Sequence, residues 1–313
     1  MRLIFRAGIL VCFLNAGISM PVWALNPSAE YLALPSHYGI AFEEVNFTAC
    51  DGVSIRGWFL PAQDASNTAD QYVGRLIPMP LELRPATTDY VELSGERRPT
   101  IVVCNGDAAN MTYLIFYAYH FCTNGFNVLT FDWRGFGESG EWPIEHDQLC
   151  YAEFLLDYDA AIDYASSRPE TDPERIGVFG FSTGAYLSFA MAAKRSDVSV
   201  FVGRGLITSF DDVLVILNEQ VPDRSFYAPS DYPQELLPLY AAEEMTAAAL
   251  LIVGENDTRT PEWMSRSVNE RLSGQRELWI VPGAAHGGAN APEYINYPEF
   301  FVRVCAFFER EFE

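Results

Sequence analysis

Basic residues are scarce in this chain: 20 Lys and Arg stand against 42 Asp and Glu, and the formal net charge is -22 over 313 residues. The acidic excess is spread along the chain, so its surface repels phosphate backbones and anionic headgroups, and nucleic acid is not an expected partner. The chain also lacks a CxxC pair, an HExxH, a His/Cys cluster, a GxGxxG fingerprint and a GxxxxGK(S/T) loop. Without these, no metal or nucleotide cofactor is expected. Histidine is rare, at four residues, which narrows the choice of a proton-transfer group to His37, His120, His146 and His286. There is no internal repeat, low-complexity tract or linker. With 49% of its residues apolar, a chain of this length is expected to form one domain around a large core.

What is present begins at the N-terminus. Arg2 and Arg6 precede an apolar stretch from Ala7 to Met20, then Pro21, then Val22-Trp23-Ala24 with its small final residue. This pattern predicts an export signal over residues 1–24, cleaved after Ala24. It is too short for the roughly 20 apolar residues that span a bilayer and contains Asn15, so no stable membrane span is expected after cleavage, and the location is periplasmic or secreted. Cleavage would remove Cys12 and leave Cys50, Cys104, Cys122, Cys150 and Cys305. Export permits disulfides, but an odd number leaves at least one thiol free or paired between chains.

From residue 25 to 313 the pattern is that of a single α/β domain. Glu43 to Cys50 and Val53 to Leu60 flank Asp51-Gly52, a two-residue turn signal for an antiparallel hairpin. Residues 61–99 are polar, then proline-rich, without a sustained period, as expected of a surface excursion. Continuous apolar runs follow at Ile101 to Cys104, Val128 to Phe131, Ile176 to Phe181, Val198 to Val202, Ala249 to Val253 and Leu278 to Val281. Most do not alternate, so they predict strands of a parallel sheet covered on both faces. Helical patterns separate them. Tyr151, Phe154, Leu155, Tyr158, Ile162 and Ala165 share one face, with Glu153, Asp157, Asp159 and Asp163 opposite. Thr260 before Pro261 predicts an N-cap, and Pro298 the start of a final helix carrying Phe301, Val304 and Phe308. The expected architecture is a doubly wound, mostly parallel α/β sheet with an N-terminal antiparallel hairpin. Residues 208–245 are expected to form a small cap that roofs the pocket and carries apolar and aromatic residues such as Phe226 and Tyr227 without a readable substrate code.

The chemistry is carried by three motifs. Gly180-Phe181-Ser182-Thr183-Gly184 lies between the run Ile176 to Phe181 and the small-residue helix Ala185 to Ala193. That is the strand–turn–helix context in which a G-x-S-x-G turn lifts a serine hydroxyl above the sheet as a nucleophile. Gly180 and Gly184 are its small flanks. His286, in the glycine-rich PGAAHGG after the last strand, sits where a side chain can swing over that serine as general base; His37, His120 and His146 are read as structural. The carboxylate that fixes the histidine tautomer is expected between them in sequence. Asp257 in LLIVGENDTRTP meets this, with Glu255 and the pair Asp211, Asp212 as rivals. Two backbone N–H groups would face the developing oxyanion: that of Thr183, after the nucleophile, and that of Asp107 in NGDAAN, after the strand Ile101 to Cys104.

NGDAAN, FDWRGFGESG, GFSTG, LLIVGENDTRTP and PGAAHGG occur in the order that resembles the α/β-hydrolase superfamily, and within it the Bem46-like and prolyl-oligopeptidase-like serine hydrolases, over residues 40 to 313. The resemblance implies that Asp132, Arg134 and Gly135 are scaffold. The family loop commonly reads HGNAGN; here Asn105 stands for the histidine and Asp107 for an asparagine, which sets a carboxylate beside the oxyanion hole. The expected activity is hydrolysis of a small acyl substrate, a carboxylic ester first and an amide or short peptide second, through an acyl-enzyme. Acyl transfer or thioester hydrolysis with the same triad, and a non-catalytic binding protein on the same fold, are the alternatives.

Overall fold

The computed structural model describes residues 23–63 and 96–313. Among them, the strands are β1 (Asn26–Pro27), β2 (Glu43–Thr48), β3 (Ser54–Leu60), β4 (Arg98–Cys104), β5 (Ala108–Ala109), β6 (Asn127–Phe131), β7 (Thr171–Phe181), β8 (Val198–Arg204), β9 (Ala248–Gly254) and β10 (Arg276–Val281). The α-helices are α1 (Ile115–Cys122), α2 (Phe154–Ser167), α3 (Thr183–Lys194), α4 (Phe210–Gln220), α5 (Pro238–Ala241), α6 (Glu262–Arg271), α7 (Pro292–Ile295) and α8 (Glu299–Glu311).

Eight strands form one sheet in the order β10-β9-β8-β7-β4-β6-β3-β2. All six apolar runs are in it, and they pair in parallel; β2 and β3 join antiparallel at one edge. The runs do not alternate because both faces are covered. Val102, Leu129, Val178 and Leu251 belong to the core beneath α2, α3 and α4. Their neighbours Val103, Val128, Phe179 and Ile252 belong to the core beneath α1 and α8, where Phe301, Val304 and Phe308 lie. Successive side chains point to opposite faces of a strand, so burying both faces requires an unbroken apolar run.

The chain leaves β4 toward β6 and returns to the other side of β4 with β7, so the strand order reverses between β4 and β7. In open α/β sheets this reversal opens a crevice at the carboxyl ends of the strands, where ligands bind.

Four local expectations are corrected. The hairpin turn has three residues, Cys50-Asp51-Gly52: Ala49 N–H donates to Val53 O (2.9 Å), Gly52 N–H to Ala49 O (2.8 Å), and Gly52 has φ 93°. This is a type I turn closed by a left-handed glycine. Strand β7 starts at Thr171 rather than Ile176, with Thr171 paired to Arg98; Asp172, Pro173 and Glu174 hide that start in the sequence. Asp157 is on the buried side of α2 and not opposite it. Its carboxylate accepts from the Arg134 backbone N–H (2.9 Å) and pairs with the Arg134 guanidinium (2.7 Å), which also pairs with Asp51 (2.5 Å). Burial pushes the Asp157 carboxyl up to about 6 despite the Arg134 bonds. Arg134 and Asp132, whose carboxylate accepts from Met111 N–H and Tyr31 OH (both 2.6 Å), thus anchor the loop after β6. Thr260 does not cap a helix, since α6 begins at Glu262. In the expected cap segment, residues 208–245, Phe226 is packed in the core and Tyr227 is exposed.

The described part of the surface excursion, residues 61–63 and 96–99, is tied to the domain: Gln63 accepts from Ala41 N–H (2.9 Å) and donates to Ala41 O (3.1 Å). Residues 64–95 of the excursion, and residues 1–22 of the expected signal, lie outside the described residues. Cys50, Cys104, Cys122, Cys150 and Cys305 are all free thiols, four of them buried. Among the described residues, no helix is long and apolar enough to cross a membrane.

Candidate active site

Ser182 sits at the step from β7 to α3 with φ 54° and ψ -117°. A non-glycine residue there carries about 1–3 kcal/mol of backbone strain, which the surroundings must hold in place. They do so by close approach. A Cβ at Gly180 would lie 2.3 Å from Gly184 O, and one at Gly184 would lie 2.0 Å from Asn105 O. Both are backbone contacts that cannot yield, so the turn requires glycine on each side of Phe181-Ser182-Thr183. Ser182 N–H donates to Arg204 O (2.9 Å) at the end of β8.

His286 lies after β10, with its Nε2 3.0 Å from Ser182 Oγ and its Nδ1 2.8 Å from Asp257 Oδ2. The tautomer follows from the partners. Asp257 Oδ1 accepts from the N–H groups of Arg259 (2.9 Å) and Thr260 (2.8 Å), and Oδ2 accepts from Thr260 Oγ1 (2.9 Å). Burial opposes the charge on Asp257, but the hydrogen bond with His286 and those from Thr260 outweigh it and hold its carboxyl below the usual carboxylate range. An ionised carboxylate only accepts, so Nδ1 carries the proton and Nε2 is left to accept from the serine hydroxyl. Thr260 Oγ1, which donates to Asp257, also lies 3.1 Å from Nδ1 and bridges the carboxylate and the imidazole.

Asp107 and Thr183 line a small cavity together with Ser182. Thr183 is the first residue of α3, so its N–H has no intrahelical partner and points out of the helix start. Asn105 Nδ2–H donates to Ala108 O (2.9 Å) and Asn110 O (3.2 Å), closing the loop that carries Asp107. The Asp107 carboxylate is neutralised by Arg259, whose guanidinium donates to it at 2.8 Å.

The rivals lie elsewhere. Glu255 accepts from Gly283 N–H (2.9 Å), and Asp212 from Ser209 Oγ (3.1 Å) at the start of α4, where Asp211 is exposed. His37 accepts from Leu34 N–H (2.9 Å), His120 stacks on Phe301 (3.8 Å), and His146 meets Leu25 O (2.6 Å).

Three residues of the site were not anticipated: Thr260, Arg259 and Arg204. Arg204 is buried, its guanidinium 3.6 Å over the Phe181 ring, donating to His286 O (2.6 Å) and Glu293 (3.2 Å). Its main chain holds the serine and its side chain holds the histidine loop. A visible signal was an arginine closing a buried apolar strand, a position where charge survives only with partners.

A doubly wound sheet with this serine, histidine and carboxylate at its carboxyl edge defines the α/β-hydrolase class of serine hydrolases. A model of the prolyl oligopeptidase family matches residues 113–313, and the chain belongs to that family. It is 24% identical over 293 residues to an uncharacterized Mycobacterium tuberculosis protein, Rv2307c, covering 92% of this chain and 88% of that one. It is 26% identical over 246 residues to the uncharacterized Escherichia coli protein YfhR, covering 78% and 73%. Among solved structures, the Pyrococcus furiosus esterase Pf2001 superposes with a TM-score of 0.66 at 19% identity, over 91% of this chain and 99% of that one.

Proposed function

We propose that the protein hydrolyses carboxylic esters with Ser182 as nucleophile, His286 as general base and Asp257 as its orienting carboxylate. The observation that carries this reading is the 3.0 Å approach of His286 Nε2 to a serine held at positive φ. Ser182 Oγ attacks the acyl carbonyl as its proton passes to Nε2. The ester C–O bond then breaks and the alcohol leaves with that proton. A water, deprotonated by the same nitrogen, attacks the acyl-enzyme and releases the carboxylic acid and the serine. The N–H groups of Thr183 and Asp107 are the donors assigned to the oxyanion of both tetrahedral intermediates.

The test is a parallel assay of an activated acetate ester, the matching anilide and an alcohol acceptor. Ester hydrolysis is expected to dominate by at least tenfold in kcat/KM; an equal anilide rate, or acyl transfer faster than hydrolysis, would reject it.

The ion pair beside the oxyanion loop has its own expected outcome. In Arg259→Gln the Asp107 carboxylate is left unneutralised next to developing negative charge, and kcat is expected to fall about tenfold, or 1.4 kcal/mol of barrier. Adding Asp107→Asn removes that charge and is expected to restore most of the loss. A double variant no faster than Arg259→Gln alone would mean that Arg259 acts by another route.

A further inference from the structure

The segment that ends the expected export signal is built into the site. Trp23 packs on the His146 ring (4.6 Å between centroids), and the Arg224 guanidinium lies 3.8 Å over the Trp23 ring. Ala24 and Leu25 N–H groups both donate to His146 O (2.8 and 3.3 Å), and Leu25 is fully buried. Beyond it, Asn26 N–H donates to Asp107 O (2.8 Å), and β1 pairs in parallel with β5. Residues 23–27 therefore run between the loop before α2 and the loop that carries Asp107.

Ala24 faces the cavity beside Ser182. The apolar wall there is Ala24, Leu149, Tyr186, Ile207, Val213 and Leu217, and the cavity holds about 20 Å³. By this measure a single water needs about 10–15 Å³, so the room suits a methyl-sized group.

Which half of an ester would enter follows from the proton transfers. The leaving alcohol takes its proton from His286 and so departs on the histidine side. His286 itself is not in the cavity wall, although Arg259 and Thr260 are, the latter 3.1 Å from His286 Nδ1. Thr183 and Asp107, whose N–H groups are assigned to the oxyanion, line it as well, and the half of the ester that carries the oxyanion and lies against them is the acyl half.

We propose that residues 23–27 are retained in the folded enzyme, against the expected cleavage after Ala24; active exported protein that begins at Leu25 overturns this. They form a fixed wall of the acyl pocket that restricts the enzyme to short acyl groups of acetyl size, with Ala24 and, from α4, Leu217 setting the depth. This rests on the hydrolase reading above and adds the substrate class to it. The wall also holds the Asp107 peptide, so it gauges the acyl chain and positions the oxyanion loop at once.

The experiment is kcat/KM on a series of activated esters from acetyl to decanoyl, for the full chain and for Ala24→Gly, Ala24→Val and Leu217→Ala, each paired with Ser182→Ala. Wild-type kcat/KM is expected to fall at least tenfold from acetyl to butanoyl, since butanoyl carries two more methylenes and even one commands about that much in a filled pocket. The butanoyl-to-acetyl ratio is expected to rise at least threefold in Ala24→Gly and tenfold in Leu217→Ala, and to fall in Ala24→Val. Ser182-dependent turnover that peaks at octanoyl or longer, or a ratio unmoved in both enlarging variants, overturns the wall and leaves the hydrolase reading standing. Turnover that survives Ser182→Ala, or no Ser182-dependent turnover of any ester, overturns both.

Discussion

Ser182→Ala is expected to lower ester turnover by about 10⁶-fold and to abolish labelling by a fluorophosphonate probe, with the circular dichroism spectrum unchanged. Loss of the nucleophile in a comparable triad costs about that much, because base and acid have nothing left to act on. The strained backbone adds a second readout. Ser182 has φ 54°, which alanine tolerates no better than serine but glycine adopts freely. Ser182→Gly should therefore be as inactive as Ser182→Ala yet more stable by about 1–3 kcal/mol. A probe adduct that persists on the alanine variant would remove Ser182 from its role. A glycine variant that melts no higher would mean the turn is held without strain.

Asp257→Asn is expected to cost about 10⁴-fold in turnover while leaving the protein folded. The asparagine is nearly the same size, but its amide presents a donor to Nδ1 where a carboxylate presents only acceptors. The imidazole then gains by placing its proton on Nε2, where it cannot accept from Ser182 Oγ. The same substitution at Glu255, Asp211 or Asp212 should leave turnover within about tenfold, a barrier change under 1.4 kcal/mol. Glu255 holds a Gly283 N–H and Asp212 the start of α4, and neither touches His286. All variants are compared on one activated ester. Near-normal activity of Asp257→Asn with collapse of another would move the orienting role to that residue. Thr260 Oγ1, 2.9 Å from Asp257 and 3.1 Å from His286, is in place to blunt the loss, so Asp257→Asn combined with Thr260→Val should fall below the single variant.

Periodicity made the fold legible because burial of both sheet faces writes itself as apolar runs, and six runs became six neighbouring strands. The same rule misplaced Asp157, since periodicity assigns a charged residue to water and cannot see that Arg134 waits beneath it. Thr260 shows a related limit. A threonine before a proline is a helix cap by local preference, but a carboxylate three residues back competes for its hydroxyl and wins here. The aromatic residues of segment 208–245, such as Phe226 and Tyr227, carry no readable code for the pocket, and it is Val213 and Leu217 of α4 that face the cavity.

By itself the sequence determined the sheet, the turn at Gly180–Gly184 and the order of serine, carboxylate and histidine. Each is either a local rule of burial and backbone conformation or a motif whose spacing is read along one stretch of chain. Only the tertiary structure decided what meets across the fold. Asp107 and Arg259 are far apart in the chain and touch at 2.8 Å, Arg204 joins Ser182 to His286 through its main chain and side chain, and Ala24 reaches the cavity beside Ser182. Such contacts depend on the loops at the carboxyl ends of different strands being brought to one edge. No local propensity encodes that approach; it follows from packing the whole sheet between its two cores.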